Sequence, residues 1–360
     1  RITTRSLPHR LPCLLIADFP YSVHMPLMSF VKPSTSAKTP VTTVHNTLLD
    51  ILIRRTLGAM ICLILLAAAN TLQALVFSDE KEAVNLSGQR HADINGWGEI
   101  DLSGVVLVRS PYGVPSSGIL LGSGRHVLTA AHCVAQFSSQ ENKLQGCVEI
   151  FSGSERKIIP WKKLYLHPSY SHGGAWDAAL IELPEAVDEN FAARYPLAGT
   201  PRILPEIILR AGWGKGGTGM TGESGSAGKL FAGLNRHEAR TKGKLTGGFK
   251  SDPDHLPLLL SDFDGNPGTD PFSKFAASAG LDIAPDPGTG GIECHIANGD
   301  SGGPVFAQDA RGKTVVVALQ VGRIRRGADI DHRLNSSWGE LSVDIEACRI
   351  RDWIMATLSR

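Results

Sequence analysis

Three side chains in this 360-residue chain have the types needed for nucleophilic acyl transfer: His132, Asp177 and Ser301. His132 lies in Leu128-Thr129-Ala130-Ala131-His132-Cys133, Asp177 opens Asp177-Ala178-Ala179-Leu180, and Ser301 lies in Gly299-Asp300-Ser301-Gly302-Gly303-Pro304. A serine hydroxyl is a weak nucleophile at neutral pH, so a base must take its proton as it attacks a carbonyl carbon. Histidine titrates near neutrality, and it can accept that proton and later deliver it to a leaving amine. A carboxylate behind the imidazole would hold its tautomer and stabilise the imidazolium. Taken singly, each piece has a plain structural explanation, such as a strand cap for the aspartate and a turn for Gly-Gly-Pro. Jointly, they point to an activated serine.

The flanking residues indicate what must position these groups. Gly118-Ile119-Leu120-Leu121 and Val127-Leu128-Thr129 read as a buried hairpin that places His132 at a strand end. Leu166-His167-Pro168-Ser169-Tyr170 precedes Asp177, and Leu180-Ile181-Glu182-Leu183 follows it. Other short β-rich runs, including Val105-Val106-Leu107-Val108, Val148-Glu149-Ile150-Phe151 and Val315-Val316-Val317-Ala318-Leu319, are separated by Gly, Pro and Ser turns, as in closed β-barrels. Near the end stands Arg351-Asp352-Trp353-Ile354. The order histidine, aspartate, serine, with these flanks, resembles the trypsin/chymotrypsin-like serine proteases over roughly residues 95–356. Subtilisins and α/β hydrolases place the same residue types in other orders. Ser301 also satisfies Gly-x-Ser-x-Gly, but a nucleophile elbow needs a histidine after the serine, and His332, the only one there, sits in a polar stretch.

This resemblance implies an all-β fold, two packed six-stranded Greek-key β-barrels with a short C-terminal helix. It implies Ser301 as nucleophile, His132 as general acid and base, and Asp177 as orienting group. The amides matching Gly299 and Ser301 would form the oxyanion hole, and Asp300 would receive a newly cut N-terminal ammonium. The primary pocket would draw on Glu293, His295, Gln320 and Gly322, in a pattern that departs from trypsin at His295 and at Gln320-Val321-Gly322. Arg90 is a candidate cutting site, with Ile94-Asn95-Gly96 the nearest match to the family's mature start. The upstream partner of the cysteine after the histidine is missing, since Ser116-Ser117-Gly118 stands there. The expected disulfides are Cys133 with Cys147 and Cys294 with Cys348.

Composition sets the wider frame. The 39 glycines and net charge of +1 fit β-rich domains and offer no electrostatic case for nucleic acid. Arg54-Arg55 followed by an apolar run at 57–69, with Ala67, Ala69 and Ala74 as cleavage positions, reads as an export signal. The expected organisation is non-native or disordered upstream sequence at 1–50, a signal peptide at 51–74 and a propeptide at 75–94. The barrel of His132 and Asp177 follows at 95–205, then the barrel of Ser301 at 206–360 with an inserted loop within 214–290. Asp262-Phe263-Asp264-Gly265-Asn266 carries alternating oxygen side chains that could bind calcium, although it lacks EF-hand spacing. No metal or organic cofactor is needed for serine acyl transfer. The chain therefore reads as a secreted, monomeric serine endopeptidase acting on protein or peptide substrates, with no stable membrane association after signal removal. The rival readings are a catalytically idle protease-like binding protein and an esterase-biased hydrolase on the same scaffold.

Overall fold

The structure is a computed structural model, and it describes residues 74–138, 145–172, 176–241, 257–264, 288–325 and 330–359. All of these lie in one compact unit, Leu66–Arg360. The expected upstream segment, the apolar run at 57–69 and the parts of the expected insertion at 242–256 and 265–287 lie outside the described residues.

The chain enters through β1 (Leu75–Phe77) and the hairpin of β2 (His91–Ile94) and β3 (Gly98–Asp101). Then come β4 (Val105–Arg109), β5 (Pro115–Leu120), β6 (His126–Thr129), the one-turn α1 (Ala131–Val134), β7 (Cys147–Ser152), β8 (Glu155–Pro160), β9 (Lys163–Leu166) and β10 (Ala179–Glu182). In space β4 to β10 form one curled sheet in the order β8-β7-β4-β5-β6-β10-β9. Within it β7 returns to lie beside β4 after the meander of β4, β5 and β6, which is the Greek-key arrangement.

The second half contains β11 (Glu206–Gly212), β12 (Gly216–Thr218), β13 (Gly222–Ser224), β14 (Phe231–His237), β15 (Ala239–Arg240), β16 (Leu258–Asp262), β17 (Cys294–His295), β18 (Pro304–Gln308), β19 (Thr314–Arg325), β20 (Glu340–Glu346) and α2 (Ala347–Leu358). Its main sheet runs β14-β11-β18-β19-β20-β16-β15, and a smaller sheet runs β13-β12-β1-β17. The two curled sheets and terminal helix match the expected fold, with a correction: each main sheet has seven strands, not six. The first gains the edge strand β8, whose residues mostly face solvent, and the second gains the two-residue β15, folded back on β16. Among the described residues no helix is long and apolar enough to cross a membrane.

Core packing explains why the strands nearest His132 and Asp177 are stiff. In β6, Val127 points into the interior of the first sheet, while Leu128 joins a larger cluster shared with Leu209, Trp213 and Phe306 of the second half. In β10, Ile181 and Leu180 divide in the same way. Both strands are thus buried on both faces, and burying one such aliphatic side chain contributes about 1.5–3 kcal/mol. Trp213 joins the halves directly, its indole N–H donating to the Val105 carbonyl at 2.9 Å.

Candidate active site

β6 and β10 pair antiparallel with Thr129 opposite Ala179, so the chain leaving β6 and the chain entering β10 emerge at one edge. That register puts His132, in α1, beside Asp177, just before β10. Asp177 is buried, and its carboxylate accepts from the His132 backbone N–H at 2.8 Å and from His132 Nδ1 at 2.5 Å. An ionised carboxylate can only accept, so Nδ1 carries the proton and the neutral imidazole keeps its lone pair on Nε2. The His132 side chain is 33% exposed. Burial disfavours the imidazolium, but Cys133 and the Asp177 carboxylate favour it, and the balance raises the pKa above the ordinary histidine value.

Ser301 stands in a turn packed against β5, the end of β6 and the Cys133 side chain next to His132. Its carbonyl accepts from the Ser117 N–H at 3.0 Å and lies 3.9 Å from the Cys133 sulfur. Gly302, with φ +86°, lies so close that an added Cβ would come within 2.2 Å of Thr129 Oγ1. Gly299, with φ +100°, would meet Gly214 at 2.8 Å. Both positions need the freedom and the missing side chain of glycine. Around the turn, the Asp300 N–H donates to Ala297, Gly302 to Gln320 and Gly303 to Asp300. The N–H groups of Gly299 and Ser301 make no such bond among the described residues.

Asp300 is fully buried and accepts from the N–H groups of Gly214 (2.8 Å), Ala297 (2.9 Å) and Leu75. Burial raises its pKa to about 7 against those three donors. The chain segment that reaches Asp300 is therefore β1, held between β12 and β17 with all three residues buried. Ile94, the expected start, lies instead in β2 paired with β3, and Arg90 is engaged with Asp101 at 2.9 Å. Leu75 also holds φ +61°, a costly conformation for a residue with a branched side chain.

The expected pocket residues separate. His295 is fully buried beside Phe263, donates Nδ1 to the Ile296 carbonyl at 2.9 Å, and has its pKa pushed down to about 3 by burial and then by Arg323 and Arg210. Glu293 is buried too, but its carboxylate accepts from the N–H groups of Asp264 and Thr289, both at 2.7 Å. Gln320 is fully buried with its amide on the carbonyls of Ala211 and Pro304. Gly322 is partly exposed opposite Val343.

Asp262 and Asp264, whose alternating oxygens raised calcium as an alternative to a plain turn, meet a third carboxylate, Glu293, with ligand atoms within 4.8 Å of one another. Glu238 adjoins them, and burial, then Asp262 and Glu293, raise its pKa well above the carboxylate range. Among the described residues, Asp262, Asp264 and Glu293 are the ones grouped closely enough to hold a cation. Neither expected disulfide is formed: among the described residues Cys133, Cys147, Cys294 and Cys348 carry no S–S bond. Cys294 packs in the apolar core and Cys133 faces the Ser301 carbonyl, so neither is directed at its expected partner.

Two features had no sequence signal. Ser117 bonds to the Ser301 turn and to Trp213. Arg210, fully buried, spans both oxygens of Asp344 (2.9 and 2.7 Å), which also accepts from His237 at 2.9 Å.

The protein-family model described as Trypsin matches residues 87–230. The match includes His132 and Asp177 and stops short of Ser301. No curated protein matches the chain.

Proposed function

We propose that this chain, whose residues 87–230 match the Trypsin family model, is a serine endopeptidase of the trypsin/chymotrypsin-like family that cleaves peptide bonds through an acyl-enzyme. The observation that carries the reading is the Asp177-bound imidazole of His132, with a serine turn whose Gly299 and Ser301 N–H groups have no backbone acceptor among the described residues. His132 Nε2 takes the Ser301 proton as Oγ bonds to the substrate carbonyl carbon. The carbonyl oxygen, now an oxyanion, accepts from the N–H groups of Gly299 and Ser301. His132 then returns the proton to the leaving amine, the C–N bond breaks, and water repeats the sequence to release the acid. Removing one oxyanion donor typically costs about 3–4 kcal/mol of transition-state stabilisation.

Activation belongs to the same reading. Cutting the Ala74–Leu75 bond turns the amide nitrogen beside Asp300 into an ammonium, giving the buried carboxylate a cationic partner and releasing the φ constraint at Leu75. Ala74 was one of the expected export cleavage positions, so export and activation would share one cut. Secretion, the monomeric state and the absence of nucleic-acid partners are part of this proposal.

The test is hydrolysis of a casein substrate by protein beginning at Leu75 and by its Ser301→Ala and His132→Ala variants. Turnover lost in both variants supports the proposal. Equal turnover in all three refutes it, and ester cleavage without casein cleavage favours the esterase-biased reading.

A further inference from the structure

The turn bearing Ser301 is gripped from two sheets. From the first comes Ser117, in β5 and fully buried: its N–H donates to the Ser301 carbonyl (3.0 Å), and its hydroxyl donates to the Gly299 carbonyl (2.9 Å) while accepting from the Trp213 N–H (2.9 Å). From the second comes Gln320, in β19 and equally buried: its carbonyl accepts from Gly302 (2.8 Å) and its N–H donates to Gly303 (3.0 Å). Its side-chain Nε2 donates to the carbonyls of Pro304 (3.2 Å) and Ala211 (2.9 Å). Two carbonyl oxygens facing one terminus identify that terminus as the NH2 group. A Cβ on Gly303 would lie 2.7 Å from that nitrogen, so the amide packs directly beneath the turn.

Between them these two residues hold the carbonyls of residues 299, 301, 303 and 304 and the N–H of Gly302. With these groups tied down, the N–H groups of Gly299 and Ser301 are left with no backbone acceptor among the described residues. A backbone fixed in this way needs no reorganisation when negative charge develops in front of it.

We propose that Ser117 and Gln320 are positioning residues, a clamp whose two side chains fix the Ser301 turn from opposite sheets. The proposal rests on the reading of Ser301 as nucleophile, and neither residue touches the reacting atoms. It replaces the expectation that Gln320 lines the substrate pocket.

Ser117→Ala removes the hydroxyl, and Gln320→Met keeps the length of the side chain without its donors. The measurements are kcat and KM for a peptide substrate, the rate of fluorophosphonate labelling, and amide hydrogen exchange in the peptide spanning residues 299–304. The expected result is a fall in kcat and labelling rate of roughly 10–100-fold in each variant. KM is little changed, and faster exchange is confined to that peptide. A rise in KM with kcat retained overturns the clamp, as does unchanged exchange in the folded variants. If Gln320→Met does not fold, Ser117→Ala decides by the same criteria. Failure of the unaltered protein to label at Ser301 refutes the protease reading instead, and exchange alone then decides the clamp.

Discussion

His132 works as a base only when neutral, and its neighbours set the pH at which that happens. Burial lowers its pKa, but Cys133 and the Asp177 carboxylate outweigh burial and raise it, so protonation silences it already above the ordinary histidine value of about 6.5. The acidic limb of kcat/KM is expected above that pH, and Asp177→Asn should move it downward while lowering kcat by about 10⁴-fold through the wrong tautomer. A limb at or below the ordinary value would argue against the pairing. Asp300 titrates with the opposite consequence for folding. In the uncut chain its pKa is raised to about 7, so the stability linked to it is fullest below the unfolded carboxylate pKa and is lost as pH rises through the folded one. With an ammonium at Leu75 the carboxylate form is favoured instead. Thermal unfolding of protein beginning at Leu75 should therefore gain on uncut protein as pH rises from 4 to 7, and parallel pH profiles for the two would contradict the ion pair.

Strands buried on both faces place the site, and they are the part most legible in the sequence. Apolar runs at β6 and β10 announce themselves, and His132 and Asp177 stand just beyond the ends of those strands. What escaped were polar residues whose purpose depends on partners far away in sequence. Arg210, in β11, would read as surface from its type, yet it lies fully buried against Asp344 of β20 and Ser261 of β16. Burial raises the Asp344 pKa, but Arg210 and His237 outweigh it and hold the carboxylate ionised. Removing one member of a buried pair strands the other, so Arg210→Met should cost about 3–5 kcal/mol in denaturant unfolding. A loss below about 1 kcal/mol would mean that Asp344 finds other support. Gln320 was misplaced for a geometric reason: the β19–β20 register shifts between Gln320 and Gly322, and such a bulge re-aims side chains that simple alternation would send elsewhere. β1 has only three residues, too few to show a period, and its role follows from the neighbours that enclose it.

At the scale of the whole molecule, neither half is complete without the other. The first sheet carries His132 and Asp177, the second carries the Ser301 turn, and Trp213, Ser117 and the shared apolar cluster hold the two together. The described cysteines contribute no cross-link. Protein beginning at Leu75 should accordingly expose four titratable thiols on denaturation, and reductant should leave its thermal midpoint unchanged; a stabilising disulfide would instead remove thiols and lower the midpoint on reduction. The central claim is that both sheets together present one activated serine. The most direct test is fluorophosphonate labelling of folded protein beginning at Leu75, with the modified residue located by mass spectrometry and with Ser301→Ala and His132→Ala as comparisons. The expected result is stoichiometric labelling at Ser301 that disappears in the first variant and slows by orders of magnitude in the second. No labelling of the folded protein, or labelling indifferent to His132, would contradict it.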